Sequence, residues 1–223
     1  LDADDYWKPE YLERVAALIG RYPGCGLYSM GFEVHRPEGV FPNETVMQEG
    51  IVGNYFRTAM RVNLTQTSSV TIPRAVFERL GGFPEGMKLG EDQYVWTKIA
   101  RTYPVCYSPQ RFSEFNLMAQ NRSAQNYKME RTPYSFWEFY DPGTPDCNEY
   151  IARCEIGKAL VHSVYGYTDA ALEVERRYSY NRHYRLGWWK LRILNRLPVM
   201  WRRPLLDSYK RVTWLVSKKG LLG

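Results

Sequence analysis

The sequence predicts an α/β fold followed by an α-helical C-terminal region. Three observations carry this. Up to about residue 123, short apolar runs with strand alternation sit between segments of helical period. Beyond Ser123 the strand signals stop, and helical period continues with interruptions at Pro142-Gly143, Pro198 and Pro204. The charge divides in the same sense. The 223 residues carry 30 Lys and Arg against 24 Asp and Glu, a net +6. Residues 1–175 hold 17 basic and 23 acidic side chains, whereas residues 176–223 hold 13 basic and one acidic, Asp207. An acidic body of −6 therefore precedes a tail of +12.

Taken in order, Leu1–Asp5 (LDADD) reads as the end of a buried strand. A domain seldom opens on a strand with nothing before it, so the chain is expected to be the C-terminal piece of a longer protein. Tyr6–Tyr22 reads as a helix, with Pro9 in its first turn and Leu12, Val15, Ala16 and Ile19 at helical spacing. Pro23-Gly24 ends it, and Gly26–His35 alternates as a strand. Residues 37–64 are irregular apart from a short helix at Gly50–Arg61. Thr67–Ile72 (TSSVTI) reads as a buried strand, Pro73–Leu80 as a short helix closed by Gly81-Gly82, and Val105–Ser108 as a last short strand. Glu91–Thr102 is a helix with Val95, Ile99 and Ala100 facing inward.

Composition excludes several classes. With 44% hydrophobic and 24% charged residues and a mean hydropathy of −0.49, the chain is globular rather than disordered. No run approaches the ~18 uninterrupted apolar residues of a membrane span. Cys25, Cys106, Cys147 and Cys154 are too few and too scattered for a disulfide scaffold and form no CxxC zinc pair.

Two constellations carry chemistry. Asp2 and Asp4 lie two apart beside Asp5, between an apparent strand end and a helix, where ligands of open α/β sheets bind. Converging carboxylates repel unless a cation lies between them, and Mg²⁺ or Mn²⁺ shared with phosphate oxygens suits such a pair. The plainer alternative is that the acids cap the following helix, as Asp5 is expected to do in either case. Further on, Gly81-Gly82-Phe83 is followed by Gly90-Glu91-Asp92. The acidic pair opens a helix whose dipole favours negative charge, which is again a capping explanation. A carboxylate fixed on a helix end facing a cleft also suits a general base.

Together, LDADDYWKPEYLE, TSSVTIPRAVFERLGGF and MKLGEDQYVWTKIA resemble, in order and spacing, the second half of family 2 glycosyltransferases of the GT-A fold. The pattern is DxDD-W-P-x-x-L, a T-S-S strand, a G-G-F turn and an E-D-x-x-x-W helix, and it covers Leu1–Ser123. The resemblance implies an incomplete GT-A nucleotide-diphospho-sugar transferase sandwich over 1–123, lacking its N-terminal nucleotide-binding half. A helical extension over 124–223, basic from 176, would follow. It implies that Asp2 and Asp4 hold Mg²⁺ or Mn²⁺ and the diphosphate, that Asp92 is the catalytic base, and that Glu91 positions donor or acceptor. Thr67, Ser68, Ser69, Gly81 and Gly82 would line the sugar and acceptor cleft. Arg122 is either a diphosphate contact or a solvated loop arginine. One base with no residue nominated as second nucleophile implies inversion, and the missing QxxRW signature implies single addition. The implied partners are a nucleotide-sugar donor, UDP-linked, and a glycan or lipid-linked acceptor in cell-surface polysaccharide synthesis, with a cytoplasmic location. A degenerate, partner-binding relative and a DxD phosphohydrolase are the alternatives. The latter wants Thr or Val where the chain has Asp5-Tyr6.

In the tail, Leu186, Trp189, Ile193 and Leu197 share one helical face, as do Leu205, Tyr209, Val212 and Val216. Either these faces pack on the body, or they form an interfacial helix pair. In the second case Trp188, Trp201 or Trp214 would lie at headgroup level, with cations on anionic lipid at the inner face of the membrane. No nucleic-acid motif accompanies the basic segment, so no nucleic-acid partner is expected.

Overall fold

A computed structural model describes residues 1–43, 47–118, 128–129 and 132–218, with backbone alone for 209–218. The chain divides into two compact units: Leu1–Asn126 with Glu130–Tyr150, and Tyr127–Met129 with Ile151–Gly223.

The first unit is α/β, built on a mixed, open six-stranded sheet. Its elements are β1 (Tyr6–Trp7), α1 (Tyr11–Arg21), β2 (Leu27–Arg36), β3 (Gly39–Pro42), β4 (Gly50–Ile51), α2 (Tyr55–Ala59), β5 (Val70–Thr71), α3 (Arg74–Arg79), α4 (Glu91–Thr102) and β6 (Val105–Asn116). The long strands β2 and β6 run parallel down the centre, Leu27 opposite Val105 and His35 opposite Asn116. The outer edge of β6 is covered by β4 at Cys106–Tyr107 and by β1 at Ser113–Glu114. The outer edge of β2 is covered by β5 at Tyr28–Ser29 and by β3 at Glu33–Arg36. The central register slips on both sides of Gly31, where a Cβ would stand 2.7 Å from the Pro109 carbonyl oxygen. Glycine is required there by close approach of the two backbones.

Leu27, Tyr28, Met30 and Phe32 of β2 and Val105, Cys106 and Tyr107 of β6 are buried, together with Tyr94, Val95, Trp96 and Ile99 of α4. α1 packs Tyr11, Val15 and Leu18 inward, while Leu12 and Ile19 are exposed. The inward stripe thus starts from the aromatic Tyr11, stacked on Trp7 at 4.2 Å, and not from Leu12. Several sequence expectations are corrected. Leu1–Asp5 forms a turn, closed by Asp5 N donating to Asp2 O, rather than a strand end. Tyr6–Trp7 pairs with β6, so the helix begins five residues later than expected. Thr67–Ser69 is a 3₁₀ turn that leads into β5, with Gln66 as its N-cap. β6 runs eight residues past Ser108.

A 3₁₀ turn at Phe136–Phe139 precedes α5 (Pro145–Val164), which continues into the second unit. That unit adds α6 (Thr168–Arg177), α7 (Arg185–Arg196) and α8 (Val199–Lys218). Pro198 separates α7 from α8, but Pro204 lies inside α8 and does not interrupt it. Glu175 of α6 is 5% exposed and accepts Arg196 Nη1 at 2.9 Å, Arg196 Nη2 at 2.8 Å and Asn195 Nδ2 at 3.0 Å. Arg202, 3% exposed, donates to Ser163 O at 2.9 Å and Thr168 Oγ1 at 2.8 Å. Among the described residues no helix is long and apolar enough to cross a membrane.

Candidate functional site

The turn at Leu1–Asp5 is anchored from two sides. Asp2 N donates to Ser68 Oγ at 3.0 Å, and Trp7 Nε1 donates to Ser68 O at 2.6 Å. Ser68 N in turn donates to Gln66 Oε1 at 2.8 Å, while Gln66 Nε2 donates to Asp5 Oδ2 at 3.0 Å. The other Asp5 oxygen accepts Asn116 N, at the end of β6, at 2.9 Å. One short network therefore ties the acidic turn, the 3₁₀ turn and the central sheet together. Ser68 and Ser69 are both fully buried. Ser69 Oγ donates to Gln66 O at 2.9 Å, and Ser68 Oγ is occupied by the Asp2 amide. Both hydroxyls thus support the turn from behind.

The three neighbouring carboxylates of that turn are treated differently. Asp5 is 5% exposed with both oxygens hydrogen-bonded, so it is an anchor; α1 has Glu10 at its N-cap position, and Asp5 caps nothing. Asp2 is exposed, and Asp4 is half-buried. Partial desolvation at the turn pushes the Asp2 carboxyl above its ordinary range, and the charges of Asp5 and Asp4 add to the rise. Like charges close beside a carboxyl are the situation a bound cation relieves.

Asp92 occupies the second position of α4, partly buried, with its Oδ1 accepting Gln93 N at 2.6 Å. Its carboxyl is pushed upward chiefly by burial, eased by backbone N–H groups, and raised further by the charge of Asp2. Residues 90 apart in sequence are thereby within electrostatic reach. Glu91 stands beside Asp92 in the first helical turn, half-buried. The approach to α4 is fixed by Gly81 and Gly82, at φ +83° and +65°, which close α3 through Gly82 N donating to Phe77 O at 3.1 Å. Only glycine adopts two such conformations in succession without strain. Phe83 then packs edge-on against Phe77 at 5.4 Å and Trp96 at 6.1 Å, and Lys98 Nζ donates to Leu80 O at 3.0 Å. The G-G-F turn and the E-D-x-x-x-W helix are thus joined through Phe83 and Trp96.

Arg122 lies outside the described residues. Sequence reasoning passed over Gln66 and Asn116. Gln66 had a readable signal, an amide side chain immediately before T-S-S at a capping position; the amide of Asn116 had none. Among the described residues, the group of three metal-ligating side chains with mutually close donor atoms is Glu33, His35 and Glu114, within 4.8 Å of one another. Lys8 Nζ already stands 2.9 Å from Glu33 Oε2, and His35 Nε2 lies 3.3 Å from Glu114 Oε2. A recess of about 560 Å³ lined by Val52, Tyr55, Tyr103, Asp146 and Cys147 holds none of the sequence-predicted site residues. Asn43, which heads an N-x-T triplet, is 6% exposed and donates to Tyr107 Oη at 3.2 Å, a structural role. No protein-family model, curated protein or solved structure matches the chain.

Proposed function

We propose that the chain carries the metal- and acceptor-side part of an inverting glycosyltransferase of the family 2, GT-A kind. It would move a sugar from a nucleotide-diphosphate donor, UDP-linked, to a hydroxyl of a glycan or lipid-linked acceptor in cell-surface polysaccharide synthesis. The observation that supports this best is the convergence of three separated motifs. The acidic turn is bound to T-S-S through Ser68, and the G-G-F turn is packed on α4 through Phe83. The upward push on the Asp92 carboxyl, chiefly from burial, includes a lesser contribution from the charge of Asp2.

In this reading Asp92 is the base. An acceptor hydroxyl holds its proton far above neutral pH, so attack requires proton removal as the new bond forms. A carboxylate raised by burial is a stronger base than a solvated one, provided it is ionised at the working pH. The α4 dipole and the Gln93 amide hold Asp92 in orientation without cancelling that rise. Asp2 and Asp4 would hold Mg²⁺ or Mn²⁺ together with diphosphate oxygens; the ion supplies charge neutralisation for the departing nucleoside diphosphate. Ser68 and Gln66 position the turn, and Glu91 orients a substrate hydroxyl.

The test is nucleoside-diphosphate release from UDP-sugars in the presence of Mn²⁺, measured on the longest reading frame that carries this chain. Asp92→Asn should lower kcat by at least about a hundredfold while leaving Mn²⁺-dependent UDP binding intact. Asp2→Asn should abolish that binding. Unchanged turnover in Asp92→Asn would remove the base assignment, and UDP binding indifferent to both Mn²⁺ and Asp2 would remove the reading as a whole.

A further inference from the structure

The helix α7 is apolar on two sides. Its inner side, Trp188, Leu191 and Leu194, is buried in the second unit, and Trp188 Nε1 donates to Glu175 O at 2.8 Å. Its outer side, Leu186, Trp189 and Ile193, at i, i+3 and i+7, is 65%, 45% and 54% exposed. The start of α8 continues in the same vein, with Met200 and Trp201 77% and 62% exposed, and Val199 and Leu205 each 47% exposed. Of the three tryptophans that the interfacial reading offers for the headgroup level, Trp188, Trp201 or Trp214, the structure withdraws Trp188 into the core and exposes its neighbour Trp189 instead. A helix with a second apolar stripe, unused by its own core, has a partner phase to satisfy.

The charges around the stripe say which phase. Not every tail cation is available: Arg202 is buried among carbonyl and hydroxyl oxygens, Arg196 is bound to Glu175, and Arg177 is paired with Glu173. Those bordering the outer stripe are Arg192 and Arg185, the latter with Nη1 donating to Ser179 O at 2.9 Å and its side chain still exposed. Arg185 lies 4.4 Å from the Trp188 ring centroid and 5.9 Å from that of Trp189, and Arg192 lies 5.2 Å from each. Arg203 is exposed on α8. Across residues 176–223 the single acidic side chain is Asp207. Exposed aromatic and aliphatic side chains flanked by arginines, with almost no counter-charge, match a lipid boundary whose headgroups are anionic.

We propose that the outer face of α7 with the first turns of α8 is a docking surface for an anionic membrane. The helices lie in the headgroup region with Leu186, Trp189, Ile193, Met200 and Trp201 turned to the acyl boundary, and with Arg185, Arg192 and Arg203 on lipid phosphates. The helices lie on the membrane and do not cross it, since among the described residues no helix is long and apolar enough to span one. This holds whether or not the first unit transfers sugar.

The test uses the 223-residue chain and vesicles of phosphatidylcholine with and without phosphatidylglycerol. The chain should pellet with the anionic vesicles, lose binding as salt is raised, and show tryptophan quenching by brominated acyl chains. Trp189→Ser and Ile193→Ser should each lower partitioning about tenfold or more. Arg185→Gln and Arg192→Gln should each lower it about fivefold, as expected for one cation at an anionic surface. These positions border solvent, and far-ultraviolet circular dichroism verifies that the variants are folded. In addition, quenching of the wild type by brominated lipid needs no variant. Equal binding to neutral vesicles, or pelleting unaffected by Trp189→Ser and Ile193→Ser, overturns the proposal. So does a dimer in sedimentation velocity that the same two variants disperse, since a second copy would then cover the face. Tighter binding to duplex DNA than to vesicles, unaffected by the apolar variants, would likewise replace lipid by a polyanion.

Discussion

Replacing Asp5 by alanine should weaken the first unit by about 3 kcal/mol, from the loss of two hydrogen bonds to a charged acceptor at about 1.5 kcal/mol each. The side chain is 5% exposed, accepts Gln66 Nε2 at 3.0 Å and accepts Asn116 N at 2.9 Å. Gln66 is 9% exposed, so its freed NH₂ has little access to solvent. Gln66 also cannot turn over to find a substitute, because its Oε1 is holding Ser68 N at 2.8 Å. Asp5→Asn should cost about half as much, since its remaining oxygen can keep the Asn116 amide while its NH₂ faces the Gln66 NH₂. At roughly 2–4 °C per kcal/mol for a unit of this size, the alanine variant should melt about 6–12 °C lower. The local readout is hydrogen exchange at the Asn116 amide, which should lose protection in Asp5→Ala and keep most of it in Asp5→Asn. The reasoning fails if alanine and asparagine melt together within about 1 °C of the parent and Asn116 exchange is unchanged.

Mn²⁺ should raise the melting temperature of the first unit at neutral pH, by the equivalent of about 2.7 kcal/mol at a hundredfold excess over Kd. The gain should fade on acidification, earlier than for an ordinary aspartate, because Asp2 is raised by burial and by Asp5 and Asp4. A gain kept in Asp2→Asn but lost in Glu114→Gln would move the ion to Glu33, His35 and Glu114. In the second unit, Arg196 and Asn195 hold the Glu175 carboxyl below its ordinary value of 4.5 despite burial. Its contribution is therefore full above pH 4.5 and lost as pH falls through the lower folded value, so Glu175→Gln should destabilise at pH 7 and converge with the parent in acid, by urea midpoint. Gly31→Ala should cost about 1–3 kcal/mol in a thermal melt, because the new methyl meets the Pro109 carbonyl rather than a side chain that can move.

How much of this could be read from sequence depended on whether the signal was local. The α4 bounds follow from an acidic first turn and a clear apolar stripe, and β2 from uninterrupted alternation; both ranges agree with the structure to within a residue or so. The two-residue strands β1 and β4 carry no such signal, since each exists only because a central strand offers an unpaired edge. By contrast, β5 lies inside the expected strand Thr67–Ile72 and is shorter than expected because the 3₁₀ turn takes Thr67–Ser69. β6 extends past the expected Val105–Ser108 because the register slip at Gly31 lets the strand absorb Pro109-Gln110. At the site, the residue types of Asp2 and Asp92 were legible but their mutual reach was not, because it depends on how Ser68 and Phe83 bring separate loops together. In α7 the period marks one apolar face, Leu186, Trp189, Ile193 and Leu197, whereas the core takes Trp188, Leu191 and Leu194. The packing of α6 on α7 makes that choice, and the period alone does not.

The acidic turn shows how the fold separates structural acids from available ones within four residues. Asp5 has both oxygens satisfied by groups of the sheet and the 3₁₀ turn, so its charge contributes stability whatever binds nearby. Asp2 is held by its main-chain amide, and its carboxyl is left raised by desolvation first and then by the acids around it. An acid whose backbone is fixed while its side chain stays strained works against stability in the free chain: it ionises reluctantly, and stability declines as pH rises through its folded value. Asp92 is in the same condition, and Asp2 is one of the causes. A cation that neutralises Asp2 removes the part of the Asp92 rise that Asp2 causes and leaves the larger part that burial causes. Ion binding at one acid therefore tunes proton affinity at the other. The acid limb of a pH–rate profile should accordingly shift to lower pH as Mn²⁺ is raised, and the shift should vanish in Asp2→Asn.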